Sequence, residues 1–260
     1  MTWATQRQIF YILVLVAILV VLGFLVSYPF FNKAPSCQDN KQNGAETDVD
    51  CGGSCVRACL SQVDQISVIW AHAFRVVPGR YNAVAYLENH NTNAVVSKIK
   101  YRFRFADENN IYIGKREGET TVPAGGNFAV FETAVDIGNS IPVYTTFEFT
   151  ETPLWVTVPK EKIDQLKIVV SDIKLENVDT SPTLSAVVKN NSLLIIPGVN
   201  VIVILYDEKG NAISASRTYL EKLSGQEKTE VRFTWPEPIS GKVITKELIS
   251  IFDIFSVKLK

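Results

Sequence analysis

VIVILYDEKGNAISASRTYL, Val201–Leu220, sets two β-prone runs on either side of the polar tetrapeptide DEKG. Side chains alternate across a strand, so Val203 and Leu205 share one face, which we take as buried. DEKG then makes a hairpin loop in which Gly210 supplies a positive φ and the Asp207 carboxylate caps the turn. Tyr206 ends the first strand, and LSGQ at Leu223–Gln226 reads as a second tight turn.

Working outward, the same texture fills most of the 260 residues. ISVIWAHAF, AVAYLEN, KIKYRFRF, NFAVFETAV and TTFEFTE form one series of short strands with Gly, Pro, Asn or Asp between them. From Leu166 a second series follows: LKIVVSDIKL, LSAVVKN, VNVIVILYD, AISASRTYL, TEVRFTW and VITKELISIFDIFSVKL. PKEKIDQLK between them is expected to form one helical turn. The two series look like copies: Asn89 matches Asn190, Asp107 matches Asp207, and Gly125 falls opposite Gly225. The fold class is therefore mainly β, with two tandem, Ig-like β-sandwiches.

Ahead of the strands, IFYILVLVAILVVLGFLV at Ile9–Val26 carries no charge and, as a helix, spans roughly 27 Å, close to the hydrocarbon thickness of a bilayer. A cleaved signal peptide would have a shorter apolar region ending in small residues, whereas Tyr28, Pro29, Phe30 and Phe31 follow here, so the segment reads as an uncleaved single-pass anchor. Arg7 precedes it and Lys33 follows it, so flanking charge sets orientation weakly. The short head and long tail place the N-terminus in the cytoplasm and the bulk of the chain outside the cell membrane.

All four cysteines, Cys37, Cys51, Cys55 and Cys59, fall in one stretch after the anchor, CQDNKQNGAETDVDCGGSC and its continuation. Their spacing lacks paired C-x2-C knuckles, so disulfides in an oxidising compartment are expected rather than zinc, with connectivity left open among three pairings. Asp39, Asn43, Glu46, Asp48 and Asp50 offer hard oxygen ligands, and Gly44, Gly52 and Gly53 allow tight turns. The loop is not an EF-hand, because Lys41 occupies a ligand position. Two readings stand: a calcium loop, or a solvated acidic loop pinned by disulfides with no cofactor.

The formal net charge is -1 and no Lys/Arg run stands out, which removes a nucleic-acid partner. The two histidines, His72 in a strand and His90 in the turn ENHNTN, have no recognisable nucleophile partner, and no hydrolase, metalloprotease, P-loop or dinucleotide motif is present. No catalytic residues are assigned. Asn190-Asn191-Ser192 is formally a glycosylation acceptor but reads as a turn.

VIVILYDEKGNAISASRTYLEKLSGQEKTEVRF resembles the FxLYD domain, a β-rich module of bacterial and archaeal exported proteins. Leu205, Tyr206 and Asp207 match its strand end, with Val203 where Phe is expected; in the first copy Phe103 and Asp107 match, while Phe105 and Ala106 replace Leu and Tyr. The cysteine stretch is similar to a motif of bacterial surface proteins, C-x-D-x-x-x-N-x-x-E-x-x-x-D-C-G-G-x-C, with its last cysteine one residue late at Cys59. These resemblances imply an exported setting and no activity. The expected layout is a cytoplasmic head over 1–8, a membrane helix over 9–31, a Cys-rich stalk over 32–60, and sandwiches over 61–158 and 166–260. The expected role is a membrane-anchored binding, adhesion or structural module with a protein or surface-polymer partner. The alternative is an accessory subunit of a membrane assembly such as a secretion or pilus-like machine.

Overall fold

The computed structural model describes residues 3–31 and 34–258, organised in two compact units, 1–55 and 56–260. The first unit holds helix α1, Trp3–Phe31, and the cysteine loop. Among the described residues the helix reaches back to Trp3, ahead of the apolar run, because Ala4–Gln8 contains nothing that breaks a helix. From Trp3 to Tyr28 its mean hydropathy reaches 3.3 and none of it is buried. By length and composition such a helix could cross a bilayer. Lys33, and the side chains of Pro29, Phe30 and Phe31, lie outside the described residues.

The second unit is built from antiparallel strands. The first series is β1 (Ser67–Val77), β2 (Arg80–Asn89), β3 (Ala94–Ala106), β4 (Tyr112–Val122), β5 (Gly126–Asp136), β6 (Tyr144–Phe149) and β7 (Val156–Thr157). Helix α2, Lys160–Gln165, supplies the expected turn between the series. The second series is β8 (Ile168–Glu176), β9 (Thr183–Asn190), β10 (Ile196–Tyr206), β11 (Ala212–Leu223), β12 (Lys228–Thr234) and β13 (Thr245–Ile251).

Four sheets result. Sheet I has the order β4-β3-β6, with β7 added at the start of β3; sheet II is β1-β2-β5; sheet III is β11-β10-β13; sheet IV is β12-β9-β8. Sheets I and II face each other over Phe103, Phe105, Phe147, Leu87 and Phe128. Sheets III and IV do so over Val203, Leu205, Val188 and Phe233. The repeat is carried into the hydrogen bonding. Phe105 pairs with Gly114 and Leu205 with Ser214, and a bulge then places Ala106 opposite Tyr112 and Tyr206 opposite Ala212. Sheet I therefore corresponds to sheet III, and sheet II to sheet IV. One landmark is corrected: Gly125 (φ +60°) donates its N–H to Asn91 O, and Gln226 (φ +61°) donates its N–H to Ser192 O, so Gln226 and not Gly225 stands opposite Gly125. Gly225 is glycine for another reason, since a Cβ there would overlap Leu193 O.

Strand β4 went unread in the sequence because YIGKREGETTV has no apolar alternation; it is an edge strand on which Val122 alone is buried. The C-terminal segment divides: β13 completes sheet III as an edge strand, and beyond it Val257 turns back into the second core at 4% exposure. Leu259 and Lys260 lie outside the described residues.

The core of the first sandwich runs on through the junction to the outer face of sheet III, while the interior of the second sandwich is a separate cluster. The outer face of sheet II (Val84, Tyr86, Ala129, Phe131) and the outer face of sheet III (Ile202, Ile204, Ala215, Ile249, Ile251) belong to a single apolar cluster. Consequently β2 and β10 are covered on both faces, and β10 buries Val201 through Leu205 without a break. Parallel sheets usually account for such uninterrupted burial; here a stack of four antiparallel layers does. Polar contacts fix how the layers meet: Asn82 Nδ2 donates to Ala215 O at 3.3 Å, and the Arg217 guanidinium donates to Phe131 O and to Thr133 Oγ1 at 3.3 and 3.0 Å.

The two faces that end the stack are charged. Where sheet III offers Ile202 and Ile204, sheet I carries Arg102, ion-paired to Glu117 and Glu148, and Arg104, ion-paired to Glu148. Where sheet II offers Phe131 and Ala129, sheet IV carries Arg232 and Glu230, themselves paired at 3.1 Å. Stacked repeats terminate in this way, with polar outer faces on the end units. Position-matched substitutions test the stack. Ile204→Ala, at a fully buried position, should cost about 2–5 kcal/mol in denaturant unfolding. The matched Arg104→Ala, on the solvated end face, should change stability by no more than about 0.5 kcal/mol.

Candidate functional site

Two places gather the residues singled out in the sequence, and a third adds others. In the cysteine loop Cys37 and Cys55 are bonded to each other, and Cys51 and Cys59 are disulfide-bonded as well. The closed loop, with a sequence separation of 18, has few apolar side chains of its own, so cross-linking replaces a core; chain entropy alone makes such a bond worth about 3 kcal/mol. Gly53 is required by close approach, because a Cβ would overlap Ala45 O.

The acidic side chains of this loop serve its backbone. Asp50 accepts from the N–H groups of Asp39 (3.0 Å) and Asn40 (2.9 Å). Asp39 accepts from Lys41 N and from Asn43 Nδ2, and Glu46 accepts from Asn43 N. Asp48 accepts from Val49 N. The Asn43 side-chain amide, chiefly, holds the Asp39 carboxyl below its ordinary value. Asn43 Oδ1 is shielded from solvent and has no partner. Each of these carboxylates is thus hydrogen-bonded to the backbone of its own loop. Among the described residues the grouping with metal-ligand proximity is Cys37, Glu46 and Cys55, and its two sulfurs are the disulfide itself rather than thiolates.

The hairpin motif forms a matched pair of turns. Asp207 Oδ1 accepts from Lys209 N (2.9 Å) and Asn211 N (2.8 Å), and Gly210 has φ +80°. Asp107 Oδ1 accepts from Asn109 N and Ile111 N, both at 2.9 Å, with Asn110 at φ +59° where the second copy has glycine. At the ends of the preceding strands, β2 and β9, Asn89 and Asn190 are fully buried. Asn89 Nδ2 donates to Ala94 O and Pro123 O; Asn190 Nδ2 donates to Leu194 O, Leu223 O and Ser224 O. Each amide oxygen also caps a backbone N–H, that of Asn91 or Ser192. Asn190-Asn191-Ser192 is thus a structural corner whose asparagine is inside the protein.

Sequence reasoning missed the third place. At the edge of the sandwich junction, Glu247 on β13 accepts from Tyr86 OH (2.7 Å) and Tyr206 OH (2.8 Å), one phenol from each sandwich. Burial first, and then Glu247, pushes the Tyr86 hydroxyl up to about 12, and the same causes raise Tyr206. Trp70 stacks on Tyr86 at 5.4 Å and on His72 at 5.3 Å. Burial lowers the pKa of His72. His90 contacts Ser67 Oγ at 3.2 Å and Glu88 at 3.4 Å. The usable signal was the unbroken run VNVIVILY, which no strand with one solvated face would carry.

No family model matches the chain, and no curated protein matches it. Among solved structures it is similar to red sea bream transglutaminase (10% identity, 72% of this chain and 31% of that one, TM-score 0.23). It is also similar to a glycosyl hydrolase family 2 member from Bacteroides cellulosilyticus DSM 14838 (14% identity, 66% and 28%, TM-score 0.24). The chain thus spans about a third or less of the length of either protein, and at these TM-scores neither likeness bears on its fold or activity.

Asp207 gives a signed pH test. The Asn211 side-chain amide, followed by the N–H groups of Asn211 and Lys209, lowers its pKa in the folded state. Its stabilising effect is therefore present above the unfolded carboxyl pKa of about 3.9 and lost as pH falls through the lower, folded value. Asp207→Ala should melt below the wild type at pH 7, and the gap between the two melting temperatures should close as pH drops below about 4. A gap independent of pH would assign the loss to something other than the ionised cap.

Proposed function

We propose that the chain is a single-pass, membrane-anchored protein whose stacked sandwiches stand outside the cytoplasm and act as a binding or structural module of the cell envelope. The observation that carries this reading is α1, apolar and exposed on all sides, followed closely by a segment whose four cysteines are all in disulfides. Lipid is the solvent that suits the first, and an oxidising compartment is the one that maintains the second. The FxLYD resemblance points to the same exported setting. The partner is another protein or a surface polymer, met by sheet edges and loops. A binding role rather than catalysis is supported by how the polar groups are used: the carboxylates of the cysteine loop and hairpins cap turns, and His90 sits against its own neighbours.

Topology can be measured directly on the full-length protein in sealed membrane vesicles. A membrane-impermeant reductant followed by a membrane-impermeant maleimide reagent should label the cysteines at 37–59 in right-side-out vesicles. Inverted vesicles should give no labelling until detergent is added. The opposite pattern would place residues 34–258 in the cytoplasm and end this reading.

A further inference from the structure

The repeat supplies an internal control for one cavity. In the first sandwich β6 turns Phe147 and Phe149 into the core opposite Phe103 and Tyr101. These four rings pack edge-on or tilted at centroid distances of 5.0–5.8 Å. By register, the same four places in the second sandwich hold Leu248 and Ser250 on β13, opposite Val203 and Val201. Four rings are replaced by four smaller side chains. Val201 and Val203 stay fully buried, and beside Leu248 and Ser250 a cleft of about 450 Å³ opens, bordered also by Pro123 and Ala124 of the first sandwich and by Ile163 on α2. Leu166, Ile168 and Val170 line one wall and Leu248, Phe252 and Ile254 the other. The Ser250 hydroxyl in its lining is shielded from solvent and has no partner. A mostly apolar cleft of this size, with Lys167 also in its lining, has the make-up of a binding site.

The walls also say what kind of occupant suits it. Both flanking strands, β8 and β13, are the outer strands of their sheets, so each presents one unpaired backbone side. β8 is bulged between Ser171 and Lys174, with Asp172 at φ +54°, which spoils it as a template, whereas β13 pairs with β10 without interruption from Thr245 to Ile251. We propose that the cleft receives an extended segment of a partner polypeptide, added as a strand along β13. Two aromatic side chains two residues apart on that added strand would reach into the cleft beside Leu248 and Ser250, the small residues that stand where the first sandwich has Phe147 and Phe149. Main-chain hydrogen bonds would supply affinity and the two ring pockets specificity. This rests on reading the protein as a binding module and names the surface that binds.

The probe is the protein's own filled version, the heptapeptide YTTFEFT copied from Tyr144–Thr150, offered as a fluorescent conjugate to the full-length protein in lipid nanodiscs, with empty nanodiscs as background. Saturable binding is expected, with none for YTTSEST, in which serine replaces both phenylalanines. Ser250→Phe should fill the cleft, weaken peptide binding at least tenfold and leave the melting temperature equal or higher. Ile173→Asp, at the partly exposed rim, should weaken binding at least fivefold in a protein that folds normally, and so keeps the test decisive if Ser250→Phe misfolds. Equal binding of the two peptides, no saturable binding of YTTFEFT, or indifference to Ile173→Asp would overturn the proposal. Binding of dodecanoate without binding of the peptide would overturn it in favour of a small apolar ligand. These outcomes do not depend on topology, so they are separable from failure of the vesicle experiment.

Discussion

Burial of β2 and β10 on both faces is the constraint around which residues 56–258 are arranged. A β-strand ordinarily has one wet face, and a pair of three-stranded sheets can satisfy that with a single core. Here sheets II and III each have two apolar faces, so neither sandwich could stand alone in water without exposing Val84 and Phe131, or Ile202 and Ile204. Joining those faces removes the problem, and the join is non-directional as far as apolar contact goes. Its alignment comes from the polar groups at its margin. Asn82 and Arg217 reach carbonyls on the opposite layer, and Glu247 ties a tyrosine of each sandwich to one carboxylate.

Within each sandwich the corners are held by asparagine and aspartate. Asn89 and Asn190 satisfy buried backbone groups at one end of the strands, and Asp107 and Asp207 cap the hairpins at the other. These residues do the same work in both copies because the backbone path is the same. The residues between them are free to differ, and they do. Phe147 and Phe149 on β6 and the smaller Leu248 and Ser250 on β13 are compatible with one set of turns, and the cleft lies beside the smaller pair.

What was legible in the sequence divides along the same line. Turn chemistry is local, so the Asp207 cap, the Gly210 conformation and the Asn89/Asn190 and Asp107/Asp207 landmarks could be read from neighbouring residues, and so could α1 from its uncharged length. Strand β4 could not, because an exposed edge strand needs no apolar period. The opposition of Gly125 to Gly225 failed by one residue: a positive φ falls on Gln226, and Gly225 answers to the nearness of Leu193. The junction is not legible from Val203 and Leu205, whose face fills the second core; Ile202 and Ile204 on the other face of the same strand carry it. Burial against a distant segment leaves only that weak trace, an apolar run where alternation was due.

Because unlike faces meet at the junction, the two copies have a fixed order along the chain. The leading sandwich must be the one with Arg102 and Arg104 on sheet I, and the trailing one must carry Glu230 and Arg232 on sheet IV. Exchanging the halves of the gene, although each would keep its strands and turns, would bring those two charged surfaces together and send Ile202 and Phe131 out to water. The duplicated halves are therefore no longer interchangeable parts, and their succession is itself encoded in which side of each sheet was allowed to become apolar.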